Sequence, residues 1–331
     1  MWDELVEAAR GVFSLASFEI FVTLLSGWIL APGRSTITAM ICAADPEGHR
    51  SHDAYHCFVR AGQWSMTVLW RVLGVELVEL LCPTGPVCLD LDDTLYKKTS
   101  RKVTGAGIFR DAVRSMHSKV VYVLGLNLVV VTRRVSPPWG GRPIGLPVAM
   151  RLHRKGGTST VDLAVEMLVE LAGFLPGRSI SLCADDAYAT LCGWDLPATT
   201  VTSRMRRDAA LFEAAPPRTG RRGRSRTKGK RLPTPAEMAA ELGDSTFDEA
   251  DWWRRPATLL VRSRAVLWYS VDKSNLVTLV VVRDPEHHQP DDFFVTTGAA
   301  APGEVASIYA AHWSIECTNR KVKQCLGVED P

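Results

Sequence analysis

Between Pro86 and His153 the chain carries three strand-like runs with no room for helical crossovers, and this does most to limit what it can fold into. The run 87–92 is short and β-like, 118–135 is long and rich in valine, and 142–153 is another. Parallel neighbours need a crossover of about a dozen residues or more, so strands this close in sequence turn back on one another as an antiparallel meander.

Beyond the third run the period changes. Val161, Leu163, Ala164, Met167, Leu168 and Leu171 recur at helical spacing over 159–175, with Thr158 or Ser159 as N-cap and Pro176-Gly177 as the stop. A buried strand over 179–184, a short helix over 188–196 and a strand over 199–203 follow. Residues 1–80 read as helical, broken by turn-formers around 31–35 and 44–51. The sharpest composition shift is 218–231, RTGRRGRSRTKGKR, with eight Lys or Arg and no acid. Such a segment buries no core and is expected to be mobile when alone. Strands at 258–270, 276–283 and 293–297 follow, and a final helix opens at Pro302-Gly303-Glu304 and runs past Glu316 to about Leu326.

This order predicts a mixed α/β protein with a ribonuclease-H-like mixed sheet. Its core spans 81–203 and 301–331, a helical region fills 1–80, and a β-rich insertion with the basic loop 218–231 fills 204–300. At 331 residues and 46% hydrophobic content the chain can bury such a core, whereas a net charge of +3 says little by itself about nucleic acid. Eight cysteines without a CxxC pair read as scattered reduced thiols, not as a zinc site or a disulfide framework. His52 and His56, four apart, lack a third ligand at useful spacing. Asp3, Glu4 and Glu7 stand where a secretory leader would be basic. The apolar run 12–30 contains Glu19 and several Ser and Thr residues and reads as a buried helix, so a cytoplasmic protein without a membrane span is expected.

The chemistry is carried by acids. Asp92 ends the first strand in LDLDDTLYKK, Asp185 ends the fourth in SISLCADDAYA, and Glu316 lies in the last helix, which can pack across that sheet edge. Each Asp taken alone also suits an N-cap or a turn. Three carboxylates brought together repel unless cations neutralise them, and hard oxygen donors suit Mg²⁺ or Mn²⁺. Two such ions about 3.5–4 Å apart can activate an attacking oxygen and stabilise a leaving one.

The last helix reads IYAAHWSIECTNRKVKQCLG, with Tyr309 seven residues before Glu316 and Lys323 seven after. It resembles the Y-(2)-R-(3)-E-(6)-K signature of DDE transposases from bacterial insertion sequences, with His312 at the Arg position. The DDT around Asp92 and the ADxxY around Asp185 resemble that family's other two motifs, and favour Asp92 and Asp185 over Asp93 and Asp186. The resemblance runs from about residue 86 to the C-terminus, and the helical region is similar in character to the family's DNA-binding part. It implies that Asp92, Asp185 and Glu316 are catalytic and hold two Mg²⁺ or Mn²⁺ ions. It further implies that Tyr309, His312 and Lys323 contact DNA, and that terminal inverted repeats and target DNA are bound by a dimer. Its insertion is similarly β-rich. Within it, Arg221, Arg222, Arg224, Arg226, Lys228 and Lys230 are candidates for phosphate contacts, and Trp252, Trp253 and Trp268 are candidates for base stacking or core packing. The family usually continues past this point, so a truncated copy that only binds DNA is the alternative expectation. A nuclease of RNA–DNA hybrids is disfavoured by the long basic insertion.

Overall fold

The computed structural model describes residues 2–33, 35–100, 102–116, 118–217, 226–252 and 257–328. It opens with α1 (Trp2–Ala8), α2 (Leu15–Leu30), α3 (Ile37–Ala44), α4 (His52–Ala61) and α5 (Met66–Leu81). Ser14, Thr36 and Ser65 start α2, α3 and α5, each side chain accepting from the amide three residues on. Ile20 and Leu24 of α2 pack on Tyr55 and Phe58 of α4 in a small core of their own. Tyr55 donates to Asp45 at 2.8 Å, and Asp45 also accepts the His49 amide at 2.9 Å, which closes the turn between α3 and α4. The run 12–30 is therefore buried on one side only, since Leu15, Ile29 and Leu30 face outward. Among the described residues no helix is long and apolar enough to cross a membrane.

The sheet begins with β1 (Val87–Lys97), β2 (Gly107–Arg110), β3 (Tyr122–Val135) and β4 (Ile144–His153). Then come α6 (Thr160–Phe174), β5 (Ile180–Ala184), a 3-10 helix over Asp186–Gly193 and β6 (Thr199–Arg204). After α7 (Pro235–Ala240) the strands are β7 (Asp248–Trp252), β8 (Ala257–Val266), β9 (Val277–Arg283) and β10 (Asp292–Thr296). The chain closes with α8 (Pro302–Ala311) and α9 (Trp313–Cys325).

These strands make one ten-stranded sheet in the order β2-β3-β1-β5-β6-β10-β9-β8-β7, with β4 pairing β3 beyond β2. The meander β1-β3-β4 is antiparallel as the spacing predicts, and β5 and β6 run parallel to β1. The expected mixed, ribonuclease-H-like sheet is present. The strands of the 204–300 segment are not a separate layer: β10 pairs with β6 and carries the sheet on through β9, β8 and β7. An open β6 edge would leave a row of backbone groups unpaired, and β10 satisfies them.

Strand alternation gives the sheet two apolar faces. On one, Leu89 and Leu91 of β1, Leu182 of β5 and Leu279 of β9 meet Val78 of α5 and Leu163, Met167 and Leu168 of α6. On the other, Val280, Val282 and Phe294 meet Val305 and Ala306 of α8. The cysteines are unpaired: Cys82, Cys183 and Cys192 are buried as expected, but Cys42, Cys57 and Cys325 are exposed.

Gly27 marks a close helix crossing, because a Cβ there would lie 2.2 Å from the Met40 carbonyl oxygen, whereas a Cβ at Gly173 in α6 meets nothing within 4 Å. Gly27→Ala is expected to cost about 1–3 kcal/mol through overpacking. Gly173→Ala is expected to be neutral or to stabilise by up to about 1 kcal/mol through helix propensity. Urea unfolding of the two variants checks this, and equal effects would contradict the crossing.

Candidate active site

The site grows out of the alternation in LDLDDT. Leu89 and Leu91 point to the α6 side, which sends Asp90 and Asp92 to the face under α8 and α9. On the parallel neighbour, Asp90 pairs with Cys183 and Leu91 with Ala184. One further step of that register sets Asp185 beside Asp92, at the point where β5 ends. Asp185 is also the N-cap of the 3-10 helix, so the capping role and the site position coincide in one residue.

Each of these two carboxylates has one oxygen engaged. Asp92 Oδ1 accepts the Asp93 amide at 2.8 Å, and Asp185 Oδ1 accepts the Asp186 amide at 2.7 Å and the Tyr309 hydroxyl at 3.3 Å. Among the described residues nothing donates a hydrogen bond to either Oδ2. Burial pushes the Asp92 carboxyl up to about 7, the charges of Asp93 and Asp185 add to this, and His312 only partly offsets it. Burial, with the charge of Asp185, likewise raises the Tyr309 phenol, which keeps it a donor. Asp93 points to the opposite face, where Tyr188 donates to it at 3.3 Å.

Asp90 has a different environment, although it lies only two residues from Asp92. It is 0% exposed. Arg134 binds it through two nitrogens, Nε lying 3.0 Å from Oδ2. Arg134 lies two residues past Thr132, the residue opposite Asp90 across the β1–β3 pair, so both side chains share a face. The Ser314 hydroxyl donates to Asp90 Oδ2 at 2.9 Å, and His312 Nδ1 lies 3.3 Å from Oδ1. Burial opposes charge on Asp90, yet His312 and Arg134 hold its carboxyl below the usual range. Burial also opposes charge on His312, but the hydrogen bonds to Asp90 and Cys183 outweigh it and keep the ring protonated well above its ordinary range.

These contacts account for a difference from the single final helix expected. The helix divides at His312, where α8 stops and α9 starts, with His312 N bonding Tyr309 O at 3.0 Å and Ile315 N bonding His312 O at 3.1 Å. His312 was expected to touch DNA; it is 5% exposed and its ring faces Asp90. Further along, Lys323 Nζ lies 5.4 Å from the Tyr96 ring centroid. α9 is thus held over β1 at Asp90 and at Tyr96, two points that bracket Asp92. Glu316 is exposed in the first turn of α9, between those anchors.

Of the basic candidates, Arg221, Arg222 and Arg224 lie outside the described residues, while Arg226, Lys228 and Lys230 are exposed. The stretch 226–231, expected to be mobile, lies along 211–213. Gly229 N bonds Glu213 O at 3.0 Å, and Glu213 N bonds Lys230 O at 2.9 Å. Lys228 Nζ lies 4.0 Å from the Phe212 ring centroid and 4.7 Å from that of Tyr269. Trp268 is buried in the main core, whereas Trp253 and the Trp252 side chain lie outside the described residues.

The donor set at Asp92 and Asp185 fits a hard divalent ion: adjacent carboxylates, each with an oxygen that takes no hydrogen bond, and burial that disfavours the charge of Asp92. Donor atoms of Asp90, Cys183 and His312 also lie within 4.8 Å of one another. Both Asp90 oxygens are already engaged by Arg134, Ser314 and His312, so that cluster is an ion pair and not a metal seat. Sequence reasoning missed Asp90, Arg134 and Ser314. The alternation in LDLDD could have flagged Asp90; nothing local pointed to its partners.

β1 runs on to Lys97, so Asp92 lies within its strand and not at its end as expected, whereas Asp185 does follow the last residue of β5. A mixed ribonuclease-H-like sheet whose neighbouring parallel strands set two aspartates side by side is the framework of a nuclease. The chain belongs to the DDE superfamily endonucleases, whose pattern its sequence matches over residues 16–270. That span contains Asp92 and Asp185 and ends before Glu316. Comparison with curated proteins returned no match. Membership implies a nucleic-acid substrate and dependence on a divalent metal.

The Asp92 shift has a consequence for stability. Its folded-state pKa is raised, so the folded protein holds that proton more tightly than the unfolded chain does. Metal-free protein should therefore lose stability as pH rises from the ordinary carboxylate range to about 7, and stay less stable above it. Asp92→Asn should flatten that fall and raise the metal-free melting temperature at pH 8. Calorimetry across pH checks this, and an Asn variant no more stable at pH 8 would contradict the burial argument.

Proposed function

We propose that the chain is a DNA transposase of an insertion sequence, which cuts element ends and joins them to target DNA. The reading is carried by the adjacency of Asp92, within β1, and Asp185, just past the end of the parallel strand β5, beneath a helix that bears Glu316. In it, Asp92, Asp185 and Glu316 hold two Mg²⁺ or Mn²⁺ ions. Such ions, when bound, activate the attacking oxygen and stabilise the leaving one.

The chain's own groups account for the rest. One site serves two displacements of the same kind. Water first attacks a phosphodiester and the 3′ oxygen leaves; the freed 3′-hydroxyl then attacks a second phosphodiester, whose own 3′ oxygen leaves in turn. Tyr309, held protonated beside Asp185, can donate to a phosphate oxygen once Asp185 is engaged elsewhere. Lys323, on α9 beyond Glu316, supplies a point charge along the backbone of the bound strand. Arg226, Lys228 and Lys230 add contacts that do not depend on sequence. The partner is double-stranded DNA bearing terminal inverted repeats, bound by a dimer that brings two ends together. His312, held against Asp90, serves the site from beneath and leaves phosphate to the other cations.

Purified protein is expected to nick and join its element's ends only with Mg²⁺ or Mn²⁺. Asp92→Asn, Asp185→Asn and Glu316→Gln should each lower that activity by more than about 100-fold, beyond the range for groups that only support ligands. End-labelled DNA on denaturing gels reads both steps. Wild-type rates in any of these variants would remove that residue from the site, and cleavage without metal would reject the reading.

Replacing Arg226, Lys228 and Lys230 together with alanine should weaken binding to all duplexes alike. It should also flatten the plot of log affinity against log salt by about 0.9 for each phosphate no longer neutralised. Anisotropy titrations at several salt concentrations measure that slope, and an unchanged slope would place these residues off the DNA.

A further inference from the structure

We infer that Asp90 is a positioning residue, which sets Glu316 over Asp92 and Asp185 by clamping the joint between α8 and α9. The inference rests on the three-carboxylate reading above and concerns how the third carboxylate reaches the other two.

Three features carry it. First, the contacts of Asp90 span the joint: His312 is the residue at which α8 gives way to α9, and Ser314 is the second residue of α9. Second, the charge is set from the sheet side. Arg134 on β3 grips Asp90 through two nitrogens and orients the carboxylate, which aims its oxygens at the helix joint independently of α9. Third, the lengths are short. Asp90 and Asp92 lie one strand repeat apart, about 6.6–6.8 Å. Glu316 lies two residues beyond Ser314 on a helix rising about 1.5 Å per residue. Fixing Ser314 on Asp90 therefore ties the backbone of Glu316 to the strand that bears Asp92 over a short path, the kind of support needed where ligand geometry must hold to about 0.5 Å.

A buried ion pair adds little net stability over well-packed apolar side chains of the same volume. An apolar residue at position 90 could fill the space but could not select one rotation of the α9 N-terminus. The tie also differs from the other anchors of α9. Ile315 packs closely over Gly145, and the Thr318 hydroxyl donates to the Gly145 carbonyl at 2.7 Å, which holds the helix against β4. Asp90 links the helix joint to the strand that bears Asp92.

The test uses the full chain, with Asp90→Asn and Ser314→Ala against wild type and Asp92→Asn. Two quantities are read. One is amide hydrogen exchange over residues 312–318 in metal-free protein. The other is the Mn²⁺ concentration that gives half-maximal cleavage of end DNA. Asp90→Asn should speed exchange at those amides and raise the half-saturating Mn²⁺ concentration about 10- to 100-fold, the range for groups that orient metal ligands. Activity should return toward wild type at saturating Mn²⁺. Ser314→Ala, which leaves the ion pair intact, should shift both in the same direction by a smaller factor.

Unchanged exchange and an unchanged half-saturating concentration in both variants would overturn the proposal, and so would a loss of activity that saturating Mn²⁺ does not restore. If Asp90→Asn does not fold, Ser314→Ala decides by the same criteria. Asp92→Asn separates the two layers of the argument: retained activity there refutes the catalytic reading, whereas the exchange result still reports on the clamp.

Discussion

The parallel pairing of β1 with β5 is the constraint on which the candidate site depends. Residues paired in a parallel ladder point the same way, so Asp90 with Cys183 and Leu91 with Ala184 decide where Asp92 and Asp185 go. A slip of one residue would send one carboxylate to the α6 face, towards the apolar Leu163, Met167 and Leu168. The register is held from the apolar side, because Val87, Leu89 and Leu91 of β1 must stay in the core. Apolar burial on one face thus enforces a polar, mutually repelling arrangement on the other.

That arrangement treats two aspartates of one strand in opposite ways. Asp90 is neutralised by Arg134 and His312 and stays ionised in full burial. Among the described residues no such cation is bonded to Asp92, and burial holds its carboxyl near 7. A short turn of strand separates a charge that is settled within the protein from one that favours an external cation. His312 shapes both, since it bonds Asp90 and its charge also reaches Asp92. The same nearness makes the α8–α9 joint part of the electrostatics of the site and not only a change of helix direction.

The segment between β6 and α8 contributes in a related way. β10 closes the β6 edge and the sheet continues outward, so α8 gains an apolar bed of Val280, Val282 and Phe294. α8 is therefore placed by residues far from the acids, and its end at Ala311 delivers His312 to Asp90. The described part of the basic stretch, 226–231, is tethered beside this extension, with Lys228 over Phe212 and Tyr269. Within residues 226–231, Lys228 and Lys230 are thus tied to the segment 211–213, in place of the free loop that composition alone suggests.

Local pattern carried much of the fold. The meander, α6 with its Ser159 cap, and β5, β6 and β9 were legible because each depends on a period of two or of 3.6 residues in a single stretch. The short β2 and α7 were not, being too brief to show a period, and the sheet's continuation through β10 depends on an edge that no local pattern announces. At the candidate site the sequence by itself determined that Asp185 closes its strand and that alternation separates Asp92 from Asp93, but not that β1 continues past Asp92 to Lys97. Only the tertiary structure decided that Asp185 comes beside Asp92, that Asp90 is buried against Arg134, and that His312 turns inward where a DNA contact was expected. The reason is physical: alternation is set by neighbours along the chain, whereas pairing, burial and the seating of a helix joint are set by residues as far apart as Asp90 and Ser314, whose contact exists only once the sheet and its covering helices have assembled.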